Sequence, residues 1–138
     1  MKESVFVDTG YWIALFDRRD QYHMLTKELL PRLLGSYRVV LSDFVLFETL
    51  TYLNCSVGRH DLAVRFLDKV AASGFDVAEV GRPVKERALA LFRQYADKDF
   101  SVTDCCSFVV MRDAAISRFA GFDAHFEQMG FVSLLHRS

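Results

Sequence analysis

Residues 4–12 read SVFVDTGYW. The first part, 4–8, is a short strand in which apolar residues follow one another without polar alternation, the pattern of a strand covered on both faces. It ends on Asp8, and GYWIALFD, 10–17, then reads as a short helix. A charged carboxylate at the end of a buried strand is costly unless something pairs with it. The fold must therefore bring Asp8 a partner, and the rest of the chain has to supply it.

Outward from this start, strands and helices alternate. Asp20–Leu34 reads as a helix with Tyr22, Leu25, Leu29 and Leu33 at helical spacing, blemished by Pro31 and ended by Gly35. YRVVL, 37–41, is a second strand, and Ser42 caps a helix over 43–56 that ends near Gly58. A helix over 60–72 is stopped by Gly74, and FDVAEV, 75–80, is a third strand. Pro83 suits the first turn of the next helix, which carries Val84, Ala88, Leu91, Phe92 and Tyr95. After the polar break DKDF, Ser101 and Asp104 make a capping-box start to a helix through about Asp113. ISRFAGFD, 116–123, supplies a fourth strand ending at Asp123; a short helical turn and a last strand, FVSLL, follow. This order predicts an α/β fold: a central parallel sheet of about 4–5 strands with helices on both faces.

The bulk figures agree with one domain over residues 1–138: 51% hydrophobic and 25% charged residues, no repeats and no low-complexity linker. The thirteen phenylalanines predict an aromatic-rich core. No apolar run is long enough for a membrane span, and no basic-then-apolar leader opens the chain, so a cytoplasmic protein with no membrane partner is expected. Cys55, Cys105 and Cys106 are an odd count with an adjacent pair, which reads as small buried thiols rather than a disulfide framework or a zinc site. The net charge of −1 argues against a broad basic surface for duplex DNA, but not against a nuclease whose acids gather in one place.

In an open parallel sheet, functional groups collect at the carboxyl ends of the strands. Asp8 and Asp123 lie at two such ends. Glu48 lies about two turns into the helix after the second strand, and Asp104 in the first turn of its helix, where an anion is favoured. Each has a plainer reading: Asp8, Asp104 and Asp123 as helix-start residues, Glu48 as a solvated helix residue. Four acids from four segments, all able to reach one rim, favour a common site. Like charges about 4 Å apart repel by roughly 4 kcal/mol at an effective dielectric near 20. Such a cluster is stable near neutral pH if it binds cations or keeps protons. Hard oxygen ligands select Mg²⁺ or Mn²⁺, the equipment for metal-assisted phosphodiester hydrolysis.

Two other readings of Asp8 fail. Asp-Thr-Gly also occurs in aspartic proteases, but those are mainly β-structure with a flap hairpin, whereas this chain reads as mostly helical. A phosphorylated aspartate of the haloacid-dehalogenase type needs a second Asp two residues on, where this chain has Gly10.

Four segments in order carry a resemblance over nearly the whole chain: VFVDTGYWIALFD (5–17), LFETLTYL (46–53), DKDFSVTDCCSFVVM (97–111) and FDAHFEQMGF (122–131). Together they resemble the PIN-domain ribonucleases, especially the VapC-type toxins of bacterial toxin–antitoxin pairs. The resemblance implies that Asp8, Glu48, Asp104 and Asp123 form the acidic metal site, with Thr9 orienting a ligand or water and Asp99 in support. It implies Mg²⁺- or Mn²⁺-dependent endonucleolytic cleavage of single-stranded or loop RNA by a metal-activated water, and a cognate antitoxin as partner. The alternative is an inactive or non-toxin PIN-like module that binds RNA or serves as an interaction protein. One departure is Gly121, where many relatives carry a hydroxyl residue just before the last Phe-Asp pair; its absence is expected to loosen the Asp123 loop.

The expectations for the surroundings are these. Arg18, Arg19, Lys98, Arg112 and Arg118 are candidates for RNA backbone contacts near the rim. His23, His60, His125 and His136 form no triad, and His125 is read as a surface or capping residue. Asp97 is a weaker competitor to Asp104. Tyr11 and Trp12 read as core or dimer packing, and the apolar aromatic surfaces hint at a homodimer.

Overall fold

The structure, a computed structural model, describes residues 1–135; His136 lies outside the described residues. The chain runs β1 (Glu3–Val7), α1 (Thr9–Phe16), α2 (His23–Ser36), β2 (Tyr37–Ser42), α3 (Asp43–Thr51), a π-helical turn Tyr52–Ser56, α4 (His60–Ser73) and β3 (Asp76–Ala78). It continues through α5 (Arg82–Gln94), α6 (Val102–Asp113), β4 (Arg118–Ala120), α7 (Ala124–Gln128) and β5 (Val132–Ser133). The strands form one parallel sheet in the order β3-β2-β1-β4-β5. The order reverses at β1; parallel neighbours need crossover connections, whose usual right-handed sense lays helices on both faces when the order reverses. No described helix is long and apolar enough to cross a membrane.

β1 is central because Val5, Phe6 and Val7 are fully buried and can only be covered from both faces. Phe6 pairs in register with Val40 of β2 on one side and Phe119 of β4 on the other. On one flank of β1 the core is an aromatic cluster. Phe126 lies 4.8 Å from Phe119, 5.1 Å from Phe108 and 6.3 Å from Phe6, centroid to centroid. Elsewhere Trp12 packs on Phe66 and Phe75 and donates from Nε1 to the Val7 carbonyl, while the Tyr11 hydroxyl donates to the Thr26 carbonyl. Tyr11 and Trp12 are thus core residues, closed to any base.

Several boundaries differ from the sequence expectation. Helix α2 starts at His23 rather than Asp20, because Asp20 Oδ1 instead accepts from the Tyr22 backbone in a turn. It then runs through Pro31 and Gly35 to Ser36. Burial of Leu29 and Leu33 on one face outweighs the proline's missing donor. The helix expected over 43–56 is α-helical only to Thr51 and continues as a π-turn. The outer strands are shorter than their apolar runs. Val80, Ile116 and Phe131 are buried yet lie outside the strands. Cys105 and Cys106 are buried, but Cys55 is exposed, so the reading of all three thiols as buried is corrected. It sits on the outward side of the π-turn, whose buried residue is Leu53.

Candidate active site and metal centre

Asp8 ends β1 and stands at the N-cap position of α1, but its side chain makes no capping hydrogen bond. It is buried, and that burial, then the charges of Asp104, Glu48 and Asp123, push its pKa up to about 8 against an opposing hydrogen bond from the Thr9 backbone. Gly121, at the end of β4, explains how the chain tolerates this closeness. A Cβ there would stand 3.1 Å from Asp8 Cβ and 3.7 Å from Asp8 Oδ2. A glycine lets the two strand ends close on each other, so its effect is tight packing rather than the loosened loop expected from sequence.

Asp104 is the third residue of α6 and part of a complete capping box with Ser101. Its Oδ2 accepts from the Ser101 backbone N–H at 3.2 Å. Burial raises its pKa; a hydrogen bond from His125 opposes this, and the charge of Asp123 adds to it. Asp123 caps α7, accepting from the His125 backbone N–H at 2.9 Å. His125 Nδ1 then lies 3.1 Å from Asp104 Oδ2 and 3.0 Å from Asp123 Oδ1. Glu48 is exposed on α3 and faces the same space.

These residues line one open cavity of about 600 Å³ together with Thr9, Gly10, Ile13, Asp20, Gln21, Tyr22, Tyr52, Asp99, Ser101 and Phe122. All six predicted site residues, Asp8, Thr9, Glu48, Asp99, Asp104 and Asp123, are among its lining. Asp97 is not; it faces Lys98 at 3.7 Å. The lining holds six carboxylates and no lysine or arginine. The Thr9 hydroxyl is the described buried side-chain polar atom left without a hydrogen-bond partner. A hard-oxygen donor set and an unsatisfied hydroxyl beside it fit a hydrated divalent cation.

Sequence reasoning missed His125 as part of this cluster. Its signal was the spacing Asp-x-His across a helix start, which turns the imidazole back onto the capping carboxylate. Asp20, Tyr22 and Tyr52 also went unmarked, because turn and π-helix geometry brings them in. His23 and His60 are elsewhere, bonded to the Ala14 carbonyl and Asn54. The expected rim cations are not at the cavity. Arg118 begins β4 and pairs with Glu3 at 3.0 Å, at the amino end of the sheet. Arg112 is in the last turn of α6, the end opposite Asp104. Arg18 and Arg19 line a second, larger cavity of about 880 Å³ with Lys27, Arg59, Arg65 and Lys69 over a floor including Phe16, Leu30 and Leu62. The turn 17–23 separates the two cavities: Asp17, Arg18, Arg19 and His23 face the basic one, Asp20, Gln21 and Tyr22 the acidic one.

Three comparisons place this architecture among known proteins. The PIN domain family profile matches residues 5–132. A curated relative, the 23S rRNA-specific endonuclease VapC20 of Mycobacterium tuberculosis, is 33% identical over 130 residues, which cover 94% of this chain and 97% of the relative. The crystal structure of M. tuberculosis VapC20, described as a sarcin-ricin loop cleaving toxin, superposes with a TM-score of 0.89 at 32% identity, covering 96% of this chain and all of that one. FitAcB from Neisseria gonorrhoeae shares the fold, with a TM-score of 0.65 at 17% identity over 94% of this chain and 95% of that one.

Proposed function

The chain belongs to the PIN-domain family and is an endoribonuclease, and from that premise we propose that it is a toxin working with Mg²⁺ or Mn²⁺ on single-stranded or loop RNA. The observation that carries the metal reading is the lining of the acidic cavity, six carboxylates without a lysine or arginine. A phosphate chain is repelled from such a site until cations neutralise it.

Asp8, Glu48, Asp104 and Asp123 would hold the ion, with Asp99 in support. When bound, it supplies Lewis-acid stabilisation of phosphoryl oxygens and a nucleophilic water near neutral pH. The protein's own groups do the positioning. The Ser101 N–H holds Asp104 Oδ2, which fixes the rotamer of that carboxylate. Thr9 Oγ1, with no protein partner, is placed to donate to a phosphate oxygen or a water. Burial and the neighbouring acids favour the protonated form of Asp8 near neutral pH in the metal-free site, and a bound cation would favour its carboxylate form. Glu48, exposed on α3, lines the solvent-facing side of the same cavity.

The remaining features of this reading are a cytoplasmic location, a homodimer and a cognate antitoxin. The second cavity suits such a partner: cations around an apolar floor match an acidic, amphipathic peptide segment. The test is cleavage of total RNA by the purified protein with Mn²⁺, with EDTA and with the Asp8→Asn variant, the product ends being mapped. A large-subunit rRNA loop, the substrate in the mycobacterial relative's description, is the first place to look for them. Cutting that persists in EDTA refutes the metal site.

A further inference from the structure

The geometry points to His125 as a direct ligand of the divalent ion through Nδ1, tilting the site towards Mn²⁺ over Mg²⁺. This rests on the metal-site reading and adds to it a nitrogen ligand and a selectivity. The Nδ1 atom lies 3.1 Å from Asp104 Oδ2 and 3.0 Å from Asp123 Oδ1, and the three donor atoms fall within 4.8 Å of one another. Ligands on adjacent corners of an octahedron with bonds of about 2.1 Å are separated by roughly 3.0 Å. Both nitrogen–oxygen separations therefore match an octahedral edge. The ring is also held in this direction. Its backbone N–H is fixed by Asp123 Oδ1, and its face meets the Phe100 ring edge to face at 5.1 Å. Thr9 Oγ1, buried and without a partner, is an independent sign that a polar occupant completes this cavity.

As a ligand, the imidazole gives its Nδ1 lone pair and keeps its proton on Nε2. A proton that sat on Nδ1 in the metal-free state leaves to solvent. Mg²⁺ prefers oxygen and sheds water reluctantly, whereas imidazole is a good ligand for the transition metals, among which Mn²⁺ also accepts hard oxygens. Removing the nitrogen must then weaken Mn²⁺ more than Mg²⁺. The competing role is a positioning residue whose Nδ1–H only hydrogen-bonds the two carboxylates, for which the same distances suffice. Asparagine separates the two: its amide N–H donates to the same oxygens but offers no lone pair to a metal.

The experiment titrates the wild-type protein and His125→Asn with MnCl₂ and with MgCl₂ by calorimetry, without RNA, and records electron spin echo spectra of the Mn²⁺-loaded forms. The expected result is imidazole nitrogen coupling to Mn²⁺ in the wild type and its loss in the variant. Mn²⁺ affinity should fall about 10-fold or more while Mg²⁺ affinity stays within about three-fold. Bound Mn²⁺ with no nitrogen coupling in the wild type, or an equal loss for both ions in the variant, overturns the proposal and leaves the metal-site reading intact. A wild-type protein that binds neither ion overturns both.

Discussion

Asp8 feels burial and like charge in the same direction, and its raised pKa fixes the sign of a pH dependence. Without metal, the native carboxyl keeps its proton up to about 8 while the unfolded one loses it near 3.8. Between those values the native state binds more protons, so stability from this group falls as pH rises through that window. The midpoint of thermal unfolding in EDTA should decline from pH 5 to pH 8. Asp8→Asn, which mimics the protonated form, should raise the metal-free midpoint at pH 7.5 by roughly 4–8 °C and abolish the stabilisation by Mn²⁺; scanning calorimetry with and without the ion checks both. Asp104→Asn should lower RNA cleavage by about 100-fold or more, read as the single-turnover rate on a loop RNA, with the fold intact by circular dichroism. Asp8 was legible because a carboxylate after a buried strand demands an explanation, and Glu48, Asp104 and Asp123 because four acids from four segments could reach one rim. The place of His125 beside Asp104 and Asp123 was not, because it depends on the chain turning at Asp123, and nothing in the spacing of Arg112 or Arg118 showed which end of the sheet they occupy.

At the scale of elements, the site is only as firm as α7, five residues that cannot persist as an isolated helix. Its anchor is Phe126, fully buried against Phe119, Phe108 and Phe6. Phe126→Ala should cost about 3–5 kcal/mol in urea unfolding, and Mn²⁺ affinity should fall with it, since Asp123 and His125 flank the lost contact. The order of strands and helices followed from periodicity and from the capping signals at Ser42, Ser101 and Pro83. The strand lengths did not, because an apolar run reports burial, and Val80, Ile116 and Phe131 are buried by packing outside the strands. The unbroken path of α2 through Pro31 is a further case in which tertiary packing overrides a local preference.

Over the whole molecule, a net charge of −1 conceals a separation of sign: acids line one cavity and cations the other. Reversing charge on the far wall of the basic cavity, Arg65→Glu with Lys69→Glu, should weaken binding of an antitoxin at least 10-fold, measured by calorimetry, while the rate of RNA cleavage by the free protein stays within about two-fold. The turn 17–23 is the wall the two cavities share. A ligand on either side that prefers one setting of that wall is thermodynamically linked to the ligand on the other. By reciprocity, a neutraliser that lowers cation affinity must itself be held less tightly once the cation is loaded. Divalent-ion supply in the cell would then bear on how readily the enzyme escapes its inhibitor, with no contact between the two ligands.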